Sequence, residues 1–157
     1  MTNITCCFTG HRKLPKDKTE KIQNRLELEI VSLIRQGVVF FRNGGGAGFD
    51  LMAASAVIKA RERNPAVKLI MVLPCRDQPE RWYDKKIYDH ILKQADEIVY
   101  ASDKYHNGCM RVRNRSLVNQ SRYCVCYLVK PAGGTFYTVN YAMKKNLKII
   151  NTAWGIE

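Results

Sequence analysis

The sequence predicts an α/β fold in three layers, with a mainly parallel sheet of about six strands and about five helices. Two observations carry this reading. Apolar, β-branched-rich runs alternate from end to end with segments of helical period, as expected when parallel strands are joined by crossover helices. One run, 123–129, is apolar throughout, as a strand covered on both faces should be. At 157 residues, 46% hydrophobic and 25% charged, the chain has the size and composition of one globular domain that can bury a core without disulfide or metal.

The first strand is read at 4–9. Asp17-x-x-Glu20 resembles a capping box, and Ile22, Leu26, Ile30 and Ile34 then repeat on one helical face until Gly37 closes the helix. A second strand, 38–42, runs into Asn43-Gly-Gly-Gly-Ala-Gly48. The helix that follows has a small-residue face of Leu51, Ala54, Ser55 and Ile58, which lets it lie close to the sheet. The third strand, 67–73, is expected to stop at Pro74, and a third helix from about Pro79 carries Tyr83, Ile87 and Ile91. A short fourth strand at 97–100 leads through a loop to a helix around 109–121. The apolar fifth strand follows and should be central; then a turn at 130–135, a helix with Phe136, Val139 and Met143 on one side, and a last strand at 147–151. The pattern shows no linker or repeat.

Composition narrows the function classes. No stretch approaches the roughly 20 apolar residues that cross a bilayer, so no membrane partner is expected. The first residues carry no secretory signature, and a cytoplasmic location is expected. Four of six cysteines (Cys6, Cys7, Cys124, Cys126) sit in apolar runs and read as reduced core residues; no cysteine or histidine spacing suggests zinc. The net charge of +12 favours an anionic partner, whether a phosphate-bearing ligand or nucleic acid. The charges look scattered along the chain, as on a solvated surface.

In an open parallel sheet, ligands bind beyond the carboxyl ends of the strands. Three connections there are specialised: Thr9-Gly10-His11-Arg12, Asn43 to Asp50, and Pro131 to Thr135. Glycines 44, 45, 46 and 48 allow close approach of backbone to ligand, and free N–H groups at the next helix start favour a phosphate. Gly133-Gly134-Thr135 repeats the arrangement with a hydroxyl added. In the fourth helix, Met110, Asn114 and Leu117 form an apolar face with Arg113 on its flank; Asn114 needs a buried partner, and both are ligand-site candidates, Arg113 to neutralise an anion and Asn114, like Asp50, to read a ribose. Arg111 and Arg115 read as solvated. Asp50 is placed either to favour the helix dipole or to accept from a ribose hydroxyl. Trp82 could stack on a base, whereas Tyr83 follows the core periodicity. His11 is open between a phosphate contact and a structural role. Valine at Gly45 is expected to block phosphate while leaving the fold intact.

Several motifs together resemble the YpsA-like branch of the SLOG superfamily: Thr9-Gly10-His11-Arg12, Gly44-Gly-Gly-Ala-Gly-Phe-Asp-Leu-Met-Ala-Ala54, Pro74-Cys-x-x-Gln-Pro-x-x-Trp82, Ala95-Asp96, Arg113-Asn114, and Gly133-Gly-Thr135 followed by Tyr141-Ala142. The resemblance spans nearly the whole chain. It implies a single Rossmann-like domain over 1–157 that binds a nucleotide or nucleotide-derived small molecule, such as ADP-ribose, NAD or a nucleoside phosphate. LOG phosphoribohydrolases are similar at Met110-Arg-Val-Arg113 and Gly133-Gly-Thr135, and that likeness implies a homodimer. Their catalytic glutamate corresponds to Thr138 here, a hydroxyl that cannot do a carboxylate's work. DNA-processing protein A is similar around 45–54 and 113–115, which makes single-stranded nucleic acid a second partner class, although the sequence displays no evident aromatic platform. Nucleotide binding or sensing is the leading expectation. Nucleotide N-glycosidic hydrolysis, with Asp50 or His11 replacing the missing glutamate, is the catalytic alternative.

Overall fold

The computed structural model describes residues 1–76 and 85–156. After a short 3-10 turn, Thr2–Ile4, the elements alternate strictly: β1 (Thr5–Gly10), α1 (Thr19–Arg35), β2 (Phe40–Asn43), α2 (Phe49–Arg63), β3 (Lys68–Cys75), α3 (Lys85–Gln94), β4 (Glu97–Ser102), α4 (Cys109–Asn119), β5 (Tyr123–Tyr127), α5 (Gly133–Lys144) and β6 (Lys148–Asn151). All six strands join one parallel sheet in the order β4-β3-β2-β1-β5-β6. This is the three-layer Rossmann-like architecture expected from the alternation.

The order reverses at β1, and handedness then fixes the layers. Right-handed crossovers that step from β1 toward β4 leave their helices on one face; those that step the other way, through β5 to β6, leave theirs on the opposite face. Accordingly Ile22, Leu26 and Ile30 of α1, Ala53 and Val57 of α2, and Tyr88 and Ile91 of α3 share a core with Phe8, Phe41, Met71 and Val125. Leu117 and Val118 of α4 and Val139 and Ala142 of α5 pack instead on Cys7, Ile70, Val72, Cys124 and Cys126. Side chains alternate between these cores along each strand, as the two-residue strand period requires. All six cysteines are buried thiols.

Tertiary packing shifted several details. Asp17 does not cap α1: the helix starts at Thr19 with Lys18 as its N-cap and no side chain on its opening amides, while Thr19 Oγ1 donates to the Pro15 carbonyl at 3.0 Å. β3 runs through Pro74 to Cys75. A proline removes one donor, but β4 beyond it still pairs Cys75 with Ser102. The expected core faces turn slightly: Ser55, Ile87 and Met143 are exposed, and Ala53, Val57, Tyr88 and Thr138 take the inward positions. Each helix meets a twisted sheet and a neighbouring helix, so its buried stripe is wider and rotated relative to an isolated 3.6-residue pattern. Tyr83 lies outside the described residues. β5 is interior, as its apolar sequence predicts.

Two fits lock the carboxyl end of β1. A Cβ at Gly10 would lie 2.3–2.5 Å from atoms of the Phe49 side chain, which is fully buried and stacks on Tyr127. Gly48, at φ +72°, lies against the Arg12 carbonyl so closely that a Cβ would sit 2.2 Å from that oxygen. Gly10→Ala is therefore expected to lower stability by about 1–3 kcal/mol through overpacking. A reduced urea midpoint with unchanged slope would register it, and a midpoint matching the parent would contradict the fit.

Candidate functional site

Because β2, β1 and β5 are adjacent, their carboxyl-terminal loops converge. A narrow crevice of about 110 Å³ opens there, lined by Gly10 and Arg12 after β1, Gly46 and Asp50 at the α2 start, Met110, Arg113 and Asn114 of α4, and Gly134 and Thr135 of α5. This is the switch point of the sheet, where helices leave on opposite faces and cannot close the gap between their first turns. Gly44, Gly45, Gly48, Gly133 and His11 stand around the crevice without lining it.

The floor is charged and buried. Asp50 is 8% exposed and Arg113 7%. Asp50 Oδ2 accepts from the Gly46 N–H at 3.1 Å, but Oδ1 has no hydrogen-bond partner. Arg113 donates from Nε to Asn114 Oδ1 at 2.7 Å, from one terminal nitrogen to the Gly44 carbonyl, and from the other toward Met110 Sδ at 3.5 Å. Burial pushes the Asp50 carboxyl from 3.8 up to about 6, although Arg113, the Gly46 amide and Arg12 all favour its ionised form. Burial likewise lowers the Arg113 guanidinium, against the pull of Asp50. On α4 the expected roles are exchanged: Arg113 is buried and half-buried Asn114 serves as its acceptor.

The two glycine-rich helix openings differ. Neither helix has a side-chain cap, but in the loop before α2 Gly45 N–H is held by Asn43 Oδ1 at 2.8 Å and Gly46 N–H by Asp50, and the first helical amide, Phe49 N–H, by the His11 carbonyl at 3.2 Å. Gly45, at φ +73°, would direct a Cβ against Leu73 and Tyr88, and Gly44 against Arg113. The expectation that valine at Gly45 spares the fold is thus overturned, since its side chain would enter the core rather than the ligand space. At α5 no side chain caps the first turn, and a Cβ at Gly133 or Gly134 would meet nothing within 4 Å. That opening offers uncommitted amides beside open space, with the positive end of a 12-residue helix behind it.

His11 stitches these parts together. Its Nε2 accepts from the Val129 N–H at 3.0 Å, its carbonyl holds Phe49, and its ring meets Tyr127 edge-on at 5.8 Å. Burial, with Lys130 nearby, lowers its pKa, consistent with a neutral ring whose proton is on Nδ1. Trp82 lies outside the described residues. Thr138 is buried and donates to the Gly134 carbonyl at 2.8 Å.

The YspA SLOG family description matches residues 6–153. The chain belongs to the YpsA family of SLOG proteins. A UPF0398 protein of Halalkalibacterium halodurans is 30% identical to this YpsA-family chain over 129 residues, covering 79% of this chain and 68% of the relative. Among solved structures, DNA processing protein A from Streptococcus pneumoniae superposes with a TM-score of 0.67 at 18% identity, over 94% of this chain and 49% of that one. DNA processing protein A from Helicobacter pylori, described for its single-stranded DNA binding mode, gives 0.67 at 17% identity, over 94% of this chain and 64% of its own. The chain therefore spans about half of the first of these solved chains and under two thirds of the second, and the likeness establishes a shared fold.

Two asparagines that the sequence reading passed over hold the YpsA-family crevice in shape. Asn43, fully buried at the end of β2, accepts from Gly45 N–H and donates from Nδ2 to the Asp50 carbonyl at 2.7 Å. Asn151, at the end of β6, accepts from the Leu128 and Ala153 amides and donates to the Leu128 carbonyl at 2.9 Å, fixing the approach to α5. The available signal was positional: a polar amide as the last residue of a strand.

Asp50 makes the site's own pH signature. An acid whose pKa is higher in the native state than in the unfolded chain holds an extra proton between the two values, here between 3.8 and about 6. Its contribution is most favourable below that window and is lost as pH rises through about 6. Asp50→Asn keeps an oxygen for Gly46 and removes the buried charge. It is expected to exceed the parent in stability by on the order of 2 kcal/mol at pH 8, with the advantage vanishing near pH 4. Urea unfolding at the two pH values checks this, and a pH-independent difference would show that the ionised carboxylate is not the strained group.

Proposed function

We propose that the crevice binds a nucleotide-derived small molecule, taking its phosphate on the α5 opening and a sugar hydroxyl on Asp50. The observation that carries this reading is Asp50 Oδ1, a buried carboxylate oxygen without a donor, in the wall of the same crevice as Arg113, Arg12 and Gly134. An unmatched buried acceptor is costly, and a ligand hydroxyl would relieve it. The amides of Gly133, Gly134 and Thr135 would receive phosphate oxygens, as helix openings do. Arg12, exposed at the rim, and Arg113, beneath it, would balance the charge.

Size refines the pose. About 110 Å³ is well below the roughly 300–1,000 Å³ of drug-sized ligand pockets. The crevice would hold phosphate and part of a sugar, leaving a base outside. A larger hollow, about 560 Å³ between α1 and α2, is lined by Glu27 and Lys59, which satisfy each other at 2.7 Å. It holds no buried charge seeking a partner, so volume is the weaker guide here.

Binding without turnover is the reading favoured by position 138. Its hydroxyl is committed to the Gly134 carbonyl and His11 Nε2 to the Val129 amide, so of the bases the hydrolytic alternative needs only Asp50 remains, and this reading assigns it to a sugar hydroxyl. Incubation with nucleoside monophosphates is expected to release no free base; release that Arg113→Ala abolishes would turn the assignment to hydrolysis.

The direct test is thermal unfolding with AMP, cyclic nucleotides, ADP-ribose, NAD and inorganic phosphate. At a hundredfold excess over Kd, a ligand adds about 2.7 kcal/mol, which for a chain of this size raises Tm by roughly 5–10 °C. Gly134→Val, filling open space rather than core, is expected to fold like the parent and lose the response. No response to any nucleotide, or one that Gly134→Val leaves intact, would overturn the proposal.

A further inference from the structure

The positive charge is not scattered once the chain is folded. Between Lys104 and Ile156 there is no Asp or Glu, but nine Lys and Arg. This stretch forms α4, β5, α5 and β6, so it builds one entire helical face and one end of the sheet. Elsewhere acidic residues accompany the basic ones, and several pair: Arg25 with Glu29, Lys59 with Glu27, Arg61 with Asp96. Among the described residues, no ion pair involves Arg111, Arg115, Lys144 or Lys145, all of them exposed.

Aromatic rings are set among these cations. The Arg111 guanidinium lies 4.5 Å from the centre of the Tyr137 ring. Arg115 lies 5.6 Å from that of Tyr141 and donates from Nε to the Tyr137 hydroxyl at 2.8 Å. Lys145 Nζ lies 5.5 Å from the centre of the same Tyr141 ring. The four-residue steps 111 to 115 on α4 and 137 to 141 to 145 on α5 repeat cation and ring about every 6 Å along the packed helix pair.

We infer that the α4–α5 face is a binding surface for single-stranded nucleic acid, separate from the crevice. Arg111, Arg115, Lys144 and Lys145 neutralise backbone phosphates, while bases displace the guanidinium groups from Tyr137 and Tyr141 and stack in their place. A groove of cations interleaved with rings suits unpaired bases, which expose a π-face whatever their identity. A duplex hides those faces, and its grooves call for a protruding element that this surface lacks. A bilayer calls for large apolar side chains to insert, whereas here the Tyr137 and Tyr141 hydroxyls are hydrogen-bonded to Arg115 and Asn119. A second copy of the chain would bring the same uncompensated charge face to face.

Fluorescence anisotropy with a labelled oligo-dT strand and a hairpin duplex, over a range of salt, tests this on the full chain. Tight binding of the single strand is expected, with log K falling against log salt at a slope of about −3 for four neutralised phosphates. The exposed double variant Arg111→Glu/Arg115→Glu should keep its Tm and lose at least tenfold in affinity, and Tyr137→Leu/Tyr141→Leu should weaken binding several-fold with little change in slope. Gly134→Val should bind the strand like the parent, since the crevice is not involved. The inference is overturned if the single strand does not bind, if charge reversal leaves its affinity unchanged, if the duplex binds as tightly, if only anionic vesicles respond to the reversal, or if Gly134→Val abolishes binding.

Discussion

The reversal of strand order at β1 is the constraint from which the rest follows. With right-handed crossovers on both sides, α1, α2 and α3 must lie on one face and α4 and α5 on the other, and no helix can cover the gap between the ends of β1 and β5. Three loops close in sequence to strand ends, yet far apart in the chain, are forced into contact there. The fold thus makes a crevice by topology and leaves its chemistry to a handful of side chains.

Those side chains divide the work unequally. Gly10, Gly45 and Gly48 are small so that the protein can pack against itself: on Phe49, on Leu73 and Tyr88, and on the Arg12 carbonyl. Asn43, Asn151 and His11 hold backbone to backbone. What remains facing the crevice is a buried carboxylate with an oxygen unspent, a buried guanidinium, and the uncapped start of α5. A carboxyl whose ionisation is resisted by its surroundings is a poor contributor to stability at neutral pH. The ligand proposed above would offset that cost by completing its hydrogen bonds.

Charge is organised at a second scale. The acidic residues lie almost wholly in the first two thirds of the chain, where they meet basic partners. The stretch from Lys104 to Ile156 wraps one face with cations and tyrosines and has no Asp or Glu. Crevice and face share α4, with Arg113 turned inward and Arg111 and Arg115 outward, so one helix serves two surfaces through its 100° residue step.

The sequence by itself determined the alternation of strands and helices, the interior place of β5, and which three loops carry the unusual glycines, because strand and helix periods and glycine tolerance are local properties. It could not tell which glycines face open space and which face the core, since what stands against Gly45 and Gly134 is brought there by other segments. It separated Arg113, beside the apolar face of α4, from solvated Arg111 and Arg115, but it could not give Asn114 its role as acceptor. It exchanged Ile87 for Tyr88 and Ser55 for Ala53, because the buried stripe of a helix is set by the twisted sheet and the neighbouring helix as well as by its own period. The unpartnered oxygen of Asp50 is wholly tertiary: a carboxylate is unsatisfied only by virtue of everything packed around it.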